Sequence, residues 1–162
     1  MSAARIRPVR QEDRDAVVCI FNHSVKESQA AFPDQPVEPA FFDVMLNGAH
    51  ASYVADEGGR VVGCGVLRPL LPFPAFAGTA AVTLFLVPSH VRQGLGSRLM
   101  EALTGDARRL GIHTLVAQIS SGNRGSISFH ARQGFSECGR IPDAGCRFGE
   151  PFDLVLMRRS LA

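Results

Sequence analysis

Strand-like and helix-like segments alternate along this 162-residue chain. That order predicts a mixed fold, α/β or α+β, in place of an all-β sandwich or a helical bundle. Three observations carry the expectation. Ala51 to Asp56 and Arg60 to Leu67 are β-type runs joined by Gly58-Gly59, a hairpin signal. Thr79 to Val87 is an apolar run of strand length. Gln93 to Leu110 carries Leu95, Leu99, Leu103 and Leu110 on one face at helical spacing.

The remaining elements follow in chain order. Ile6 to Val9 is a short first strand. Residues 11 to 27 place Ala16, Val17, Ile20, Phe21 and Val25 at helical spacing, with Glu12 and Asp13 in the first turn. After a linker containing Pro33 and Pro36, a second helix starts near Pro39, buries Phe42, Met45 and Leu46, and ends at Gly48. Pro69 to Gly78 holds three prolines and is expected to be loop. Gly111 stops the 93–110 helix, and His113 to Ile119 is another strand. Asn123 to Gln133 is a short helix ending at Gly134. Phe135 to Ile141 and Phe152 to Arg158 are expected to close the sheet as an antiparallel pair, split by a loop containing Gly145 and Gly149.

A hydrophobic content of 46% with 20% charged residues is that of a soluble globular chain, and the length suits one domain, residues 1–162. The opening Met1-Ser2-Ala3-Ala4-Arg5 has no apolar signal-peptide region, and no apolar run is long enough to span a bilayer. A net charge of +2 gives no reason to expect nucleic acid or a membrane surface as partner. Cys19, Cys64, Cys138 and Cys146 form no CxxC pair, so a cytoplasmic protein with reduced thiols is expected. His90 and His113 lack a third ligand at metal spacing, and no metal is expected.

The segment Val87-Pro88-Ser89-His90-Val91-Arg92-Gln93-Gly94-Leu95-Gly96-Ser97 carries the chemistry. It passes from a strand through a glycine turn into a helix. Glycines admit a ligand close to the backbone, and the first helical N–H groups lack intrahelical partners, so the turn is suited to an anion. Gly94-Leu95-Gly96-Ser97-Arg98-Leu99 lacks the third glycine of a dinucleotide fingerprint, and no Gly-Lys-Ser/Thr follows, which excludes a Walker P-loop.

About thirty residues on stands Asn123-Arg124-Gly125-Ser126-Ile127-Ser128-Phe129-His130-Ala131-Arg132-Gln133-Gly134-Phe135. Taken with the glycine turn, this order resembles the acetyl-CoA-dependent GNAT N-acetyltransferase superfamily. Asn22-His23-Ser24-Val25, and Gly145-Cys146-Arg147-Phe148-Gly149 with Asp153, resemble its phosphinothricin acetyltransferase branch. The resemblance implies an α+β fold, three-layer α/β/α in character, with about four helices and a mixed, mostly antiparallel sheet splayed at its centre.

The resemblance also implies acetyl-CoA as acyl donor and the residues that hold it. The pantetheine arm would pair with the strand at Phe85, Leu86 and Val87, while the backbone of Arg92, Gln93, Gly94, Leu95, Gly96 and Ser97 would orient the pyrophosphate. Asn123 and Ser126 would complete the cofactor site. A helix terminus contributes about 0.3–1 kcal/mol, up to about 2, whereas micromolar binding needs about 8 kcal/mol. Strand-like pairing must therefore supply much of the rest. His130, five residues before Phe135, takes the family's position for the general acid that protonates the departing thiolate, and a backbone N–H near Leu86 or Val87 would hold the oxyanion.

The acceptor half departs from that branch. The acidic residue expected to deprotonate the amine falls on Ala81, its nearby tyrosine on Phe76, and its usual tryptophan on Pro151. Val91 stands where a Gln or Arg opens the phosphate motif. Glu27 and His23 are the candidates to replace the missing base, because the first helix faces the acceptor site in relatives. The resemblance thus implies transfer of an acetyl group to a primary amine of a small molecule, an amino acid or analogue. A peptide or protein N-acetyltransferase and a non-catalytic acyl-CoA-binding module are the alternatives. Relatives of this kind are often homodimers. The sequence does not name the amine.

Overall fold

A computed structural model describes residues 3–162. Seven strands form one sheet in the order β1-β2-β3-β4-β5-β7-β6. They are β1 (Arg5–Pro8), β2 (Ala51–Glu57), β3 (Arg60–Pro69), β4 (Thr79–Leu86), β5 (Thr114–Ser120), β6 (Ser136–Arg147) and β7 (Glu150–Ser160). The helices are α1 (Arg14–Glu27), α2 (Phe41–Leu46), α3 (Leu95–Arg109) and α4 (Arg124–Arg132). Every strand pair is antiparallel except β4–β5. This is the α+β, three-layer arrangement that the sequence predicts.

The layers follow from the period-two alternation of the central strands. On one face Val54, Val61, Cys64, Val66 and Phe85 pack with Val17, Phe21 and Val25 of α1 and Phe42 and Met45 of α2. On the other, Ala55 and Val62 meet Leu95 and Leu99 of α3, while Leu67, Ala80 and Val82 meet Met100, Leu103 and Ala107. Strand β3, covered on both faces, is buried from Val61 to Leu67.

Two differences from the expected elements have physical causes. The first helix begins with a 3₁₀ turn, Gln11–Asp13, before α1. Asp13 turns inward there and accepts two hydrogen bonds from the Arg7 guanidinium, at 2.8 and 2.9 Å, while Arg7 Nε donates to Asp56 at 2.8 Å. Those bonds hold both carboxyls below their ordinary range.

The second difference is at the closing pair, where the expected loop is strand. Strands β6 and β7 run on to a two-residue turn at Phe148-Gly149, both at positive φ (51° and 77°), the geometry of a type I′ hairpin. Gly145 is not a loop residue. A Cβ there would lie 2.4 Å from Phe152 Cζ, so glycine lets the aromatic ring cover the strand. The hairpin tip extends beyond β5, whose pairing with β7 stops at Ser120↔Leu154.

Candidate active site

Strands β4 and β5 pair over only three rungs, Thr79↔Thr114, Ala80↔Leu115 and Ala81↔Val116, and then part. A wedge opens between Val82–Leu86 and Ala117–Ser120. Leu70 N–H donates to Thr79 O, and Val87 N–H donates to Val62 O at 2.9 Å, so the odd residues of β4 turn their backbone groups to β3. By alternation, Leu84 and Leu86, beyond the last rung, present their N–H and C=O groups to the wedge. Among the three residues named from the sequence, Leu86 therefore faces the wedge, whereas Phe85 is buried against α1 and Val87 is tied to Val62. A free strand edge is a template for an extended, amide-bearing ligand.

Past β4 the chain makes a 3₁₀ turn at Pro88–His90 and enters the glycine segment. Gln93 Nε2 donates to Ser89 O at 2.8 Å, and the His90 ring bridges Ser89 Oγ and Glu57 Oε2 at 2.9 and 3.2 Å. Arg92 and Gly94 both adopt left-handed backbone, φ 61° and 79°. Such alternation gathers successive N–H groups into an anion-binding concavity. The first bond of α3 is Arg98 N–H to Gly94 O, which leaves the N–H groups of Leu95, Gly96 and Ser97 without helical partners. Gly96 lies against α4, where a Cβ would meet Phe129 Cε2 at 3.0 Å. Ser97 Oγ accepts from Gln133 Nε2 at 2.8 Å, a second tie between the two helices. Arg92 and Gln93 are exposed.

Helix α4 carries the remaining donor-side residues. Asn123 caps it, its Oδ1 accepting from Ser126 N–H at 3.2 Å. One turn on, His130 is buried, with Nδ1 2.8 Å from the carbonyl oxygen of Ser126 and 3.3 Å from its Oγ. A carbonyl only accepts, so the proton sits on Nδ1 and Nε2 carries a lone pair. Nε2 is buried with no hydrogen-bond partner among the described residues. The Phe129 and Phe135 rings stand edge-on to the imidazole at 5.2 and 5.1 Å. Burial among them lowers the pKa of His130 from its ordinary 6.5.

The first helix, expected to face the acceptor, lies with α2 on one face of the sheet. His23 and Glu27 are on the exposed face of α1, directed away from Val17, Phe21 and Val25. Asn22, their neighbour, is structural: its side chain clasps Val37 through two bonds, at 2.9 and 2.7 Å, and so anchors the α1–α2 connection. That connection folds over the end of β5, where Ser120 Oγ donates to Gln29 Oε1 at 3.4 Å. Phe32 stacks on Phe152 at 5.8 Å.

The buried Arg147 donates to the carbonyls of Val25, Ser28 and Pro33 and locks the β6–β7 hairpin onto this segment. Neither Arg147 nor Gln29 was legible as a site wall, because each acts on backbone or side chain more than ninety residues away. Ala81 and Thr83 line the same face from β4, while Phe76 and Pro151 are exposed. An open groove of about 730 Å³ lies at the start of α1, lined by Arg10, Cys19, Asp56, Arg60 and Val87. The Cys64 thiol, pushed up to about 12 by burial, is not a nucleophile.

A splayed parallel strand pair, an N–H cradle at the next helix and a histidine on the helix after it define an acyltransferase of the acetyl-CoA type. The chain belongs to the acetyltransferase (GNAT) family, whose model matches residues 17–135. Over 98% of its length it is 34% identical to 95% of an L-methionine sulfoximine/L-methionine sulfone acetyltransferase of Pseudomonas aeruginosa. It is 29% identical to a phosphinothricin N-acetyltransferase of Alcaligenes faecalis, covering 98% of this chain and 83% of that one. The yncA structure of Salmonella typhimurium, determined with its cofactor acetyl-CoA, superposes with a TM-score of 0.90 at 32% identity, covering 99% of this chain and 95% of that one. The protein is an N-acetyltransferase that takes its acetyl group from acetyl-CoA. Among the described residues no helix is long and apolar enough to cross a membrane.

Proposed function

We propose that the acceptor is the amine of an amino acid or a close analogue and that His130 carries its proton. The relatives' substrates support the first part, and the walls of the acceptor side agree with it: a segment locked down by Arg147 suits a small molecule better than a polypeptide tail. The observation that carries the second part is the buried, unpartnered Nε2 of His130.

The thioester supplies an activated acetyl carbonyl. The chain's own groups do the rest. The wedge-facing backbone of Leu86 and the carbonyl of Leu84 would hold the pantetheine amides, and the N–H groups from Arg92 to Ser97 would hold the pyrophosphate. Leu84 N–H, the free wedge-facing donor nearer the apex, would donate to the developing oxyanion, since Val87 N–H is already given to Val62. Asn123 and Ser126 shape the turn of α4 beside the wedge.

Neutral His130 has no proton on Nε2 to give at the start. The free-base form of the amine attacks; His130 accepts at Nε2 the proton that this nitrogen sheds as the C–N bond forms, and returns it to the sulfur as the C–S bond breaks. One histidine thus serves as base and then as acid, which makes up for the alanine at position 81. Glu27 and His23, on the outer face of α1, have no part in this route.

A CoA-release assay with L-methionine sulfone, phosphinothricin and a peptide bearing a free N-terminus tests the reading. Faster turnover of the two amino-acid analogues is expected. Faster turnover of the peptide contradicts it, and tight acetyl-CoA binding without turnover of any amine makes the chain an acyl-CoA-binding module instead.

A further inference from the structure

Arg68, near the end of β3, is in register with Ala81, and Ala81 pairs on its other side with Val116 in the last rung before the wedge. Registered partners place their side chains on the same face, with neighbouring strands about 4.8 Å apart. The face is that of α1 and α2, because Cys64 and Val66, which alternate with Arg68 along β3, are buried there with Phe42 and Met45. Arg68 is half-buried, and its Nη1 donates to the carbonyls of Val44 and Met45 at the end of α2, each at 3.0 Å. The guanidinium is therefore anchored beside the apex of the wedge, the point at which an acetyl group would meet its amine.

What Arg68 lacks is an anion. A guanidinium has five N–H donors, and both bonds made here come from Nη1, so the edge formed by Nε and Nη2 has no partner among the described residues. Arg7 and Arg140, also on the sheet, are ion-paired, with Asp13 and Asp56 and with Glu137 and Asp153, whereas Arg60, Arg158 and Arg159 have no acidic partner among the described residues. Arg147 is committed to three carbonyls. Across the strand from Arg68, in the position best placed to neutralise it, stands an alanine.

We propose that Arg68 binds the carboxylate of the acceptor through its Nε–Nη2 edge, and that Ala81 keeps this guanidinium free of an internal partner. The fork of donors on that edge matches a carboxylate bidentately. The acceptor class is then an amine that also carries an acid group, and the alanine that removes a base from the site creates a binding determinant for the substrate. This inference rests on the reading of the acceptor as an amino acid.

The test compares L-methionine sulfone with its carboxamide, which keeps the amine and lacks the acid, so that each probe is its own control between wild type and variant. Arg68→Gln should lower kcat/KM for the acid roughly 10- to 100-fold, as expected for a lost charged hydrogen-bond pair, and for the amide far less. Arg68→Lys should recover part of the loss. If Arg68→Gln does not fold, Arg68→Lys decides the matter by the same acid-to-amide ratio, which should fall between those of wild type and a variant without the charge.

Equal losses on both probes, or none, would overturn the assignment and leave Arg68 as a cap on α2. A wild-type enzyme that uses the amide as well as the acid overturns it while the amino-acid reading stands. Acetylation of peptides but of neither probe removes that reading and this inference together.

Discussion

The two sides of the wedge are built on different principles. The donor side is a property of the backbone: a free edge on β4, left-handed Arg92 and Gly94, and uncapped N–H groups at the start of α3. Few side chains are needed there, and Val91 can stand where a polar residue is usual without harm to the cradle. The acceptor side is a property of side chains, and nearly each one that matters, Ala81, Arg68, Gln29 and Arg147, owes its position to a strand or segment distant in sequence. A backbone site tolerates substitution and stays recognisable, whereas a side-chain site diverges with the substrate.

That contrast can be tested by substitution. His130→Ala should give the largest effect, a fall in kcat of about 10²–10⁴-fold, with the acetyl-CoA dissociation constant in calorimetry nearly unchanged; an unchanged kcat with chemistry rate-limiting would remove His130 from proton transfer. The wild-type pH profile should agree. Burial lowers the pKa of His130, so its neutral form persists at neutral pH, and kcat/KM referred to the concentration of free-base amine should fall only on acidification below 6.5. The same shift means that the unfolded chain binds the proton more readily than the fold, so stability too should drop as pH falls below 6.5.

Next in size is Gly96→Val, which drives a branched side chain into Phe129 and pries α3 from α4. Overpacking of about 1–3 kcal/mol should weaken acetyl-CoA binding roughly 5- to 100-fold, without altering the preference among amines. A changed amine preference would show that the two sides are not separable.

Removal of donor-side side chains should matter least. Arg92→Ala should raise the acetyl-CoA KM no more than about fivefold, as for an exposed charge worth about 0.2–1 kcal/mol. Glu27→Gln and His23→Gln should leave kcat/KM and its pH dependence within about twofold. A large loss from either would return the base to α1.

Legibility in the sequence followed the same division. The strand–turn–helix at Val87 to Leu99 could be read because it is local: glycine positions, apolar periodicity and a helix start lie within a dozen residues. The element order was equally plain. The β6–β7 hairpin was read short because Gly145 and Gly149 look alike in sequence, yet one admits the Phe152 ring and the other completes a turn. On the acceptor side, position 81 could be recognised as lacking an acid. What fills the gap could not, because Arg68 becomes its neighbour only through the β3–β4 register. The tautomer of His130 was beyond sequence for a similar reason, since it depends on one contact with the Ser126 carbonyl.

The most direct test of the proton route is the imidazole of His130 itself, observed by ¹⁵N–¹H NMR of the histidine ring through a pH titration. The account predicts a proton on Nδ1, an unprotonated Nε2 at pH 7, and a midpoint below 6.5. A proton on Nε2 at pH 7, or a midpoint above 7, would mean that the histidine begins as an acid and that some other group takes the proton from the amine.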